Sequence, residues 1–155
     1  PARSEMCIRD SVYLARPNRS AGPAFVDEYN DTDVLRPGDI LMPRIGELPA
    51  WVHEEDDKKW VASDALIALR PTSDEYDSYF IAACLNAPTN ISTQGMIAKR
   101  HPLARIAIPE LDREQRSFIA EAHRSLNNAR TAARQLEHEA EQASDALLKL
   151  VFAGK

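Results

Sequence analysis

Cysteine is nearly missing from this chain: Cys7 and Cys84 are the only two in 155 residues, too few for a disulfide framework. No secretory segment is visible, so a reducing cytoplasm is the expected compartment. Long apolar runs are missing too, and none approaches the roughly 18 residues that a membrane span requires. Neither glycine nor proline occurs from Leu111 to Ala153, so the strongest turn signals are missing from that stretch. An excess of positive charge is also lacking. The net charge is -5 at pH 7, which disfavours nucleic-acid binding by bulk attraction. The distribution is uneven, because residues 1–100 carry 11 basic and 16 acidic side chains while 101–155 carry 8 of each. Much of the acid sits in Glu54-Glu55-Asp56-Asp57 and between Asp27 and Asp33. With those loops turned away, Arg36, Arg44, Lys99, Arg100 and Arg105 are left to form a basic face.

Catalytic signatures are absent as well. Adenine methylation needs an Asn/Asp-Pro-Pro-aromatic loop to hold the flipped base and a glycine-rich turn for the methyl donor, and neither occurs. Asn86-Ala87-Pro88-Thr89 does not supply one. His53, His101, His123 and His138 have no metal-ligand spacing to one another or to Cys84, so no metal and no cofactor is expected. Glu54 to Asp57 reads as a solvated hairpin tip rather than a cation site, since it lacks glycine or asparagine spacing. No Ser-His-Asp or Cys-His arrangement can be inferred. The expectation is a recognition module rather than an enzyme.

What is present dominates the C-terminal third. Apolar or small residues recur at alternating intervals of three and four: Ile119, Ala122, Leu126, Ala129, Ala133, Leu136, Ala140, Ala143, Leu147 and Leu150. This heptad pattern holds one narrow stripe of a helix against a partner helix. Half of the seam is alanine, which buries little area but lets two backbones approach closely, so one antiparallel neighbour is expected. Arg134 is expected to face outward. Pro109 bars helix behind it, Asp112 and Gln115 fit a capping box, and Gly154 supplies the stop. Some forty residues at about 1.5 Å each make a rod of roughly 60 Å, more than a domain of this size needs for its own core.

All ten prolines lie at or before Pro109, which marks the boundary between a turn-rich domain (12–109) and the rod (110–155). Residues 12–34 read as short strands and loops. Arg36-Pro37-Gly38-Asp39 is a turn, and Ile40-Leu41-Met42 a buried strand ending near Arg44. Gly46 and Pro49 make the next turn. Ala50 to His53 and Trp60 to Ala62 read as a hairpin with Trp51 and Trp60 as cross-strand neighbours, and Ala65 to Arg70 as a third strand. Asp74 to Asn86 has helical spacing, with Ser73 or Asp74 as cap. Ile91 to Ala98 fits either a short helix or a surface loop, and Arg105 to Ile108 a short strand. The predicted class is α+β: a small mixed domain with a β-sheet and covering helices, followed by one long coiled-coil helix.

The order of these pieces carries a resemblance. Leu35-Arg36-Pro37-Gly38-Asp39-Ile40-Leu41 is followed by Val61-Ala62-Ser63, then Tyr79-Phe80-Ile81-Ala82-Ala83-Cys84-Leu85-Asn86, a Gly95 loop, and Ile106-Ala107-Ile108-Pro109 with Glu114-Gln115 opening the long helix. Residues 34–153 resemble the target-recognition domain and spacer helix of the specificity subunits of type I restriction-modification systems. The resemblance implies that the chain reads one half of a split target in double-stranded DNA. It also implies that the chain docks methyltransferase and restriction subunits, and pairs its helix with that of a second recognition half or of a homodimer. Ser92, Thr93 and Gln94 correspond to a loop of the family's reading surface and carry groups that bond base edges. Lys99, Arg100 and Arg105 beside it, and Arg44, are placed to meet phosphates. Each of these positions also fits a solvated charge or a turn former. One departure stands out: the family's intact subunits carry two such domains, and this chain resembles one half.

Residues 1–11 are excluded from the argument. Met6-Cys7-Ile8-Arg9-Asp10-Ser11 is what ATG TGT ATA AGA GAC AG encodes, a string that resembles the transposon end used to tag sequencing libraries. A translated adapter or a disordered tail is expected there, and on the adapter reading the chain is the C-terminal piece of a longer protein. Two other functions remain open on sequence: the recognition tail of a longer single-chain adenine methyltransferase, and a coiled-coil interaction protein with no DNA role.

Overall fold

Strand β3 (Ile40–Pro43) is buried along its whole length and organises the domain. Alternate side chains of a strand point to opposite faces, so an apolar run with no polar alternation fits a strand covered on both sides. Ile40 and Met42 face one apolar cluster with Val52, Phe80 and Leu85, while Leu41 faces a second with Ala15, Leu35, Trp51 and Leu66. The computed structural model describes residues 12–17, 24–44, 49–87 and 106–154.

Two three-stranded sheets share that interior. In one, β1 (Val12–Ala15) lies between β2 (Phe25–Val26), antiparallel, and β5 (Trp60–Ala62), parallel. In the other, β3 lies between β4 (Trp51–Val52) and β6 (Leu66–Leu69), both antiparallel, with Leu41 opposite Trp51 and Met42 opposite Ile67. A 3-10 turn at Asp31–Asp33 precedes β3. The turn into β3 forms as the sequence predicts: Gly38 has φ +95°, and the Asp39 amide donates to the Arg36 carbonyl at 3.0 Å.

The predicted hairpin of residues 50–53 and 60–62 does not form. Residues 53–59 carry the chain from one sheet to the other, so Trp51 pairs with β3 while Trp60 packs its ring 4.9 Å from Tyr13 of β1. β4 makes its ladder with β3 and β5 makes its own with the N-terminal strand β1, in the other sheet. Proximity in sequence suggested the wrong partner.

Helix α1 (Ser78–Leu85) starts later than predicted. Ser73 Oγ accepts the Glu75 amide in a preceding turn, and Asp77 is the residue whose carboxylate caps the helix by accepting the Tyr79 amide at 2.8 Å. At the other end the Asn86 side chain brackets Ala50, accepting its amide at 2.7 Å and donating to its carbonyl at 2.9 Å, which ties the end of α1 to the start of β4. Ile106 to Ile108 form no strand, and Arg105 and Ile91 to Ala98 lie outside the described residues.

Helix α2 (Arg113–Ala153) runs 41 residues. Its capping box is made as the sequence predicts: Asp112 Oδ1 accepts the Gln115 amide at 2.8 Å and Gln115 Oε1 accepts the Asp112 amide at 3.2 Å. Gly154 follows its last turn, as expected. The α+β class with a long terminal helix is therefore what the chain adopts. Among the described residues no helix is long and apolar enough to cross a membrane.

Candidate nucleic-acid interface and helix seam

The functional layout follows from how α2 sits on the domain. Its first half packs against α1, with Ala120 in the cluster of Phe80 and His123 beside Tyr79, and Asn127 is buried further along, near Ala50 and Trp51. Two arginines repeat the same arrangement on either side of that contact. Arg116 lies 4.8 Å over the Tyr76 ring and 3.6 Å from Glu75, and Arg124 lies 4.9 Å over the Tyr79 ring and 3.8 Å from Asp77. Tyr79 also packs against His123 and donates its hydroxyl to Glu54. Burial, with Arg130 nearby, pushes the His123 imidazole below its ordinary pKa, so it is neutral at pH 7. The helix is thus held at a set angle by its first five turns, and its second half projects.

The heptad seam is not the face that binds the domain. Ala122, Leu126, Ala129, Leu136, Ala140, Ala143, Leu147 and Leu150 are all exposed. Two seam residues depart from the expected pattern: Ile119 packs against the domain core, and Ala133 lines a groove with Pro49, Trp51 and Asn127. Arg134 does not point outward as expected, because it is half-buried in that groove beside Arg130. Burial and the Arg130 charge lower its pKa. The reason is angular. Ala120, His123, Asn127, Arg130 and Arg134 each follow a seam residue by one position, which sets the domain-facing stripe about 100° round the helix from the seam.

Of the seven residues expected to touch DNA, Arg44 is the one that the structure describes. Ser92, Thr93, Gln94, Lys99, Arg100 and Arg105 lie outside the described residues. Arg44 is exposed at the end of β3, with its amide donating to the Ala65 carbonyl at 2.9 Å. It lines an open cleft of about 490 Å³ with Asp33, Ser63, Asp64 and Arg70. That cleft is of mixed charge rather than basic. A second open cleft, about 380 Å³, lies across the Arg36–Asp39 turn and carries Asp74 and Asp77.

Between the two clefts stands an ion pair that sequence inspection missed. Asp39 is 2% exposed and receives Arg70 Nε and Nη2 at 2.7 Å each, with the Arg36 amide at 2.8 Å. Burial alone raises a carboxyl pKa, but these three donors outweigh it and hold Asp39 below its ordinary value. The legible half was Asp39, in the turn. Its partner 31 residues away was not, because β6 reaches it only through pairing with β3.

Among the described residues no group of three metal-ligating side chains gathers. No family model matches the chain, and no curated protein matches it in sequence.

Proposed function

We propose that this chain is a non-catalytic, sequence-reading DNA-recognition module of a type I restriction-modification complex. In this reading the two-sheet domain contacts one half of a split target, and α2 docks the methyltransferase and restriction subunits in the cytoplasm. The observation that carries the reading is the division of labour in the fold. A small domain clamps the first half of a 41-residue helix and leaves an apolar heptad stripe of that helix exposed. A helix capped at its start, fixed in angle by ion pairs and stacked arginines, and bare along one stripe is suited to set a distance between a reading head and its partners. The order of turn, strands, α1, Ile-x-Ile-Pro segment and Glu-Gln helix supports the same assignment through the family resemblance.

A second reading is a coiled-coil interaction protein without a DNA role. The mixed charge of the Arg44 cleft and the net charge of -5 favour it. Filter binding on pooled duplexes separates the two. On the DNA reading, Lys99→Ala with Arg100→Ala weakens binding alike on all sequences and lowers the salt slope by about one per lost phosphate contact. Gln94→Ala costs about 1–3 kcal/mol on the preferred sequence and little elsewhere. Retention of no duplex by the unsubstituted chain at low salt leaves the interaction reading standing.

A further inference from the structure

The arginines of α2 meet the domain in two ways. Arg116 and Arg124 each lie over a tyrosine ring with a carboxylate at 3.6 and 3.8 Å respectively, so their charges are matched. Arg130 and Arg134, one turn apart further along, have no such partner. Among the described residues no carboxylate forms an ion pair with either guanidinium. The Arg134 Nε donates to the Arg130 carbonyl at 3.2 Å, which leaves both Nη groups uncommitted.

These two guanidiniums share a groove of about 240 Å³ between the helix and the domain, whose far wall is Pro17, Pro49, Ala50 and Trp51. That wall supplies no counter-charge. The prolines have no N–H, and the Ala50 amide and carbonyl are both held by the Asn86 side chain. Two like charges are thus kept together against apolar surface, and burial with the Arg130 charge lowers the Arg134 pKa. Such an arrangement costs stability until an anion completes it. A third group on the same stripe opens onto the same space. Asn127 is 8% exposed and lines the groove, and its side-chain amide makes no hydrogen bond among the described residues. A buried amide is ordinarily satisfied. Asn127, Arg130 and Arg134 follow one another at three and four residues, which sets neighbouring Cβ atoms about 5–6 Å apart.

Charge match selects the class of ligand. A carboxylate or a phosphodiester brings one negative charge and leaves one guanidinium unmatched, whereas a phosphomonoester brings about two at pH 7, with three acceptor oxygens for the three side chains. The planar fork of arginine suits phosphate oxygens in particular. We infer that this groove is a phosphomonoester-binding site, in which Arg130 and Arg134 neutralise the dianion, Asn127 donates to a third oxygen, and the organic part lies along Pro49 and Trp51. The groove is larger than a phosphate group alone fills, which leaves room for that part. The donors stand on α2 and the apolar wall on the domain, so the ligand bridges the two. Its binding is independent of DNA reading and of what docks on the heptad stripe.

Isothermal titration calorimetry of the full chain, at low salt and without DNA, tests the site with phenyl phosphate, inorganic phosphate and benzoate. Phenyl phosphate is expected to bind saturably and about tenfold or more tighter than benzoate, which has the same ring and a single charge. Inorganic phosphate is expected to bind more weakly than its phenyl ester. Arg130→Ala and Arg134→Ala each weaken phenyl phosphate by about tenfold, while Arg113→Ala, at the exposed start of the same helix, leaves its affinity unchanged. Asn127→Asp places a carboxylate in the groove. It abolishes binding and raises the melting temperature of the ligand-free chain, because it supplies from within the charge that the ligand otherwise brings. Absence of saturable binding by either phosphate overturns the inference, as does equal loss in the Arg113 and Arg134 variants. Equal affinity for phenyl phosphate and inorganic phosphate overturns the assignment to an ester, and a melting temperature lowered by Asn127→Asp overturns the placement of the two charges. DNA takes no part in these titrations, so their failure is read separately from failure of the DNA-reading role.

Discussion

Phe80→Ala is expected to remove about 3–5 kcal/mol of stability, a large share of what a domain of this size has. The ring is fully buried, packed with Ile40, Met42 and Val52 of the β3/β4 sheet and stacked 6.2 Å from Tyr76. Truncation removes the transfer free energy of the ring and leaves a cavity that a sheet on one side and α2 on the other cannot collapse to fill. The loss extends to the rod. Ala120 packs in the same cluster, and Tyr76 carries Arg116, so loosening α1 frees the first half of α2 as well. Urea unfolding followed by tryptophan fluorescence and by helical circular dichroism should shift together to a lower midpoint. A loss under about 1 kcal/mol, or a rod signal that does not move with the domain, contradicts a shared core.

The second large effect is expected at the Asp39–Arg70 pair. Removing Arg70 leaves a carboxylate that is almost fully buried with one backbone donor, and stranding a buried charge costs about 3–5 kcal/mol. The Arg70 side chain is 42% exposed, and solvent screening places Arg70→Ala near the lower end of that range, about 3 kcal/mol. Asp39 gives the pH signature. Its folded pKa lies below the ordinary 3.8, so its contribution is complete above that value and is lost as pH falls through the lower folded value. The stability gap between the unsubstituted chain and Asp39→Asn is therefore widest near neutrality and narrows below pH 3.8. Denaturant melts at neutral pH and under acid measure it. A gap that stays constant or widens under acid sinks the assignment.

These two effects bear on function because both hold the frame around the clefts. Phe80 fixes α1, whose Asp77 and Tyr79 receive Arg124 of the rod. Asp39 and Arg70 join the β3 turn to β6, and Arg44 stands at the far end of β3. Domain stability and rod angle are thus tied to the same few side chains.

By itself the sequence determined what depends on neighbours a few residues apart. The Arg36–Asp39 turn, the buried run of β3, the Asp112–Gln115 capping box, the break-free α2 and its heptad stripe all rest on local spacing, and all are present. Only the tertiary structure decided which elements meet. β5 left Trp51 for Tyr13, Asp77 rather than Ser73 capped α1, Arg70 crossed to Asp39, and the stripe through Ala120, His123 and Asn127, rather than most of the heptad seam, became the domain-facing side of α2. The physical reason is common to these cases. A cap or a turn is stabilised by groups already held close by the chain, whereas strand partners and helix faces are chosen by burial and charge pairing between segments tens of residues apart.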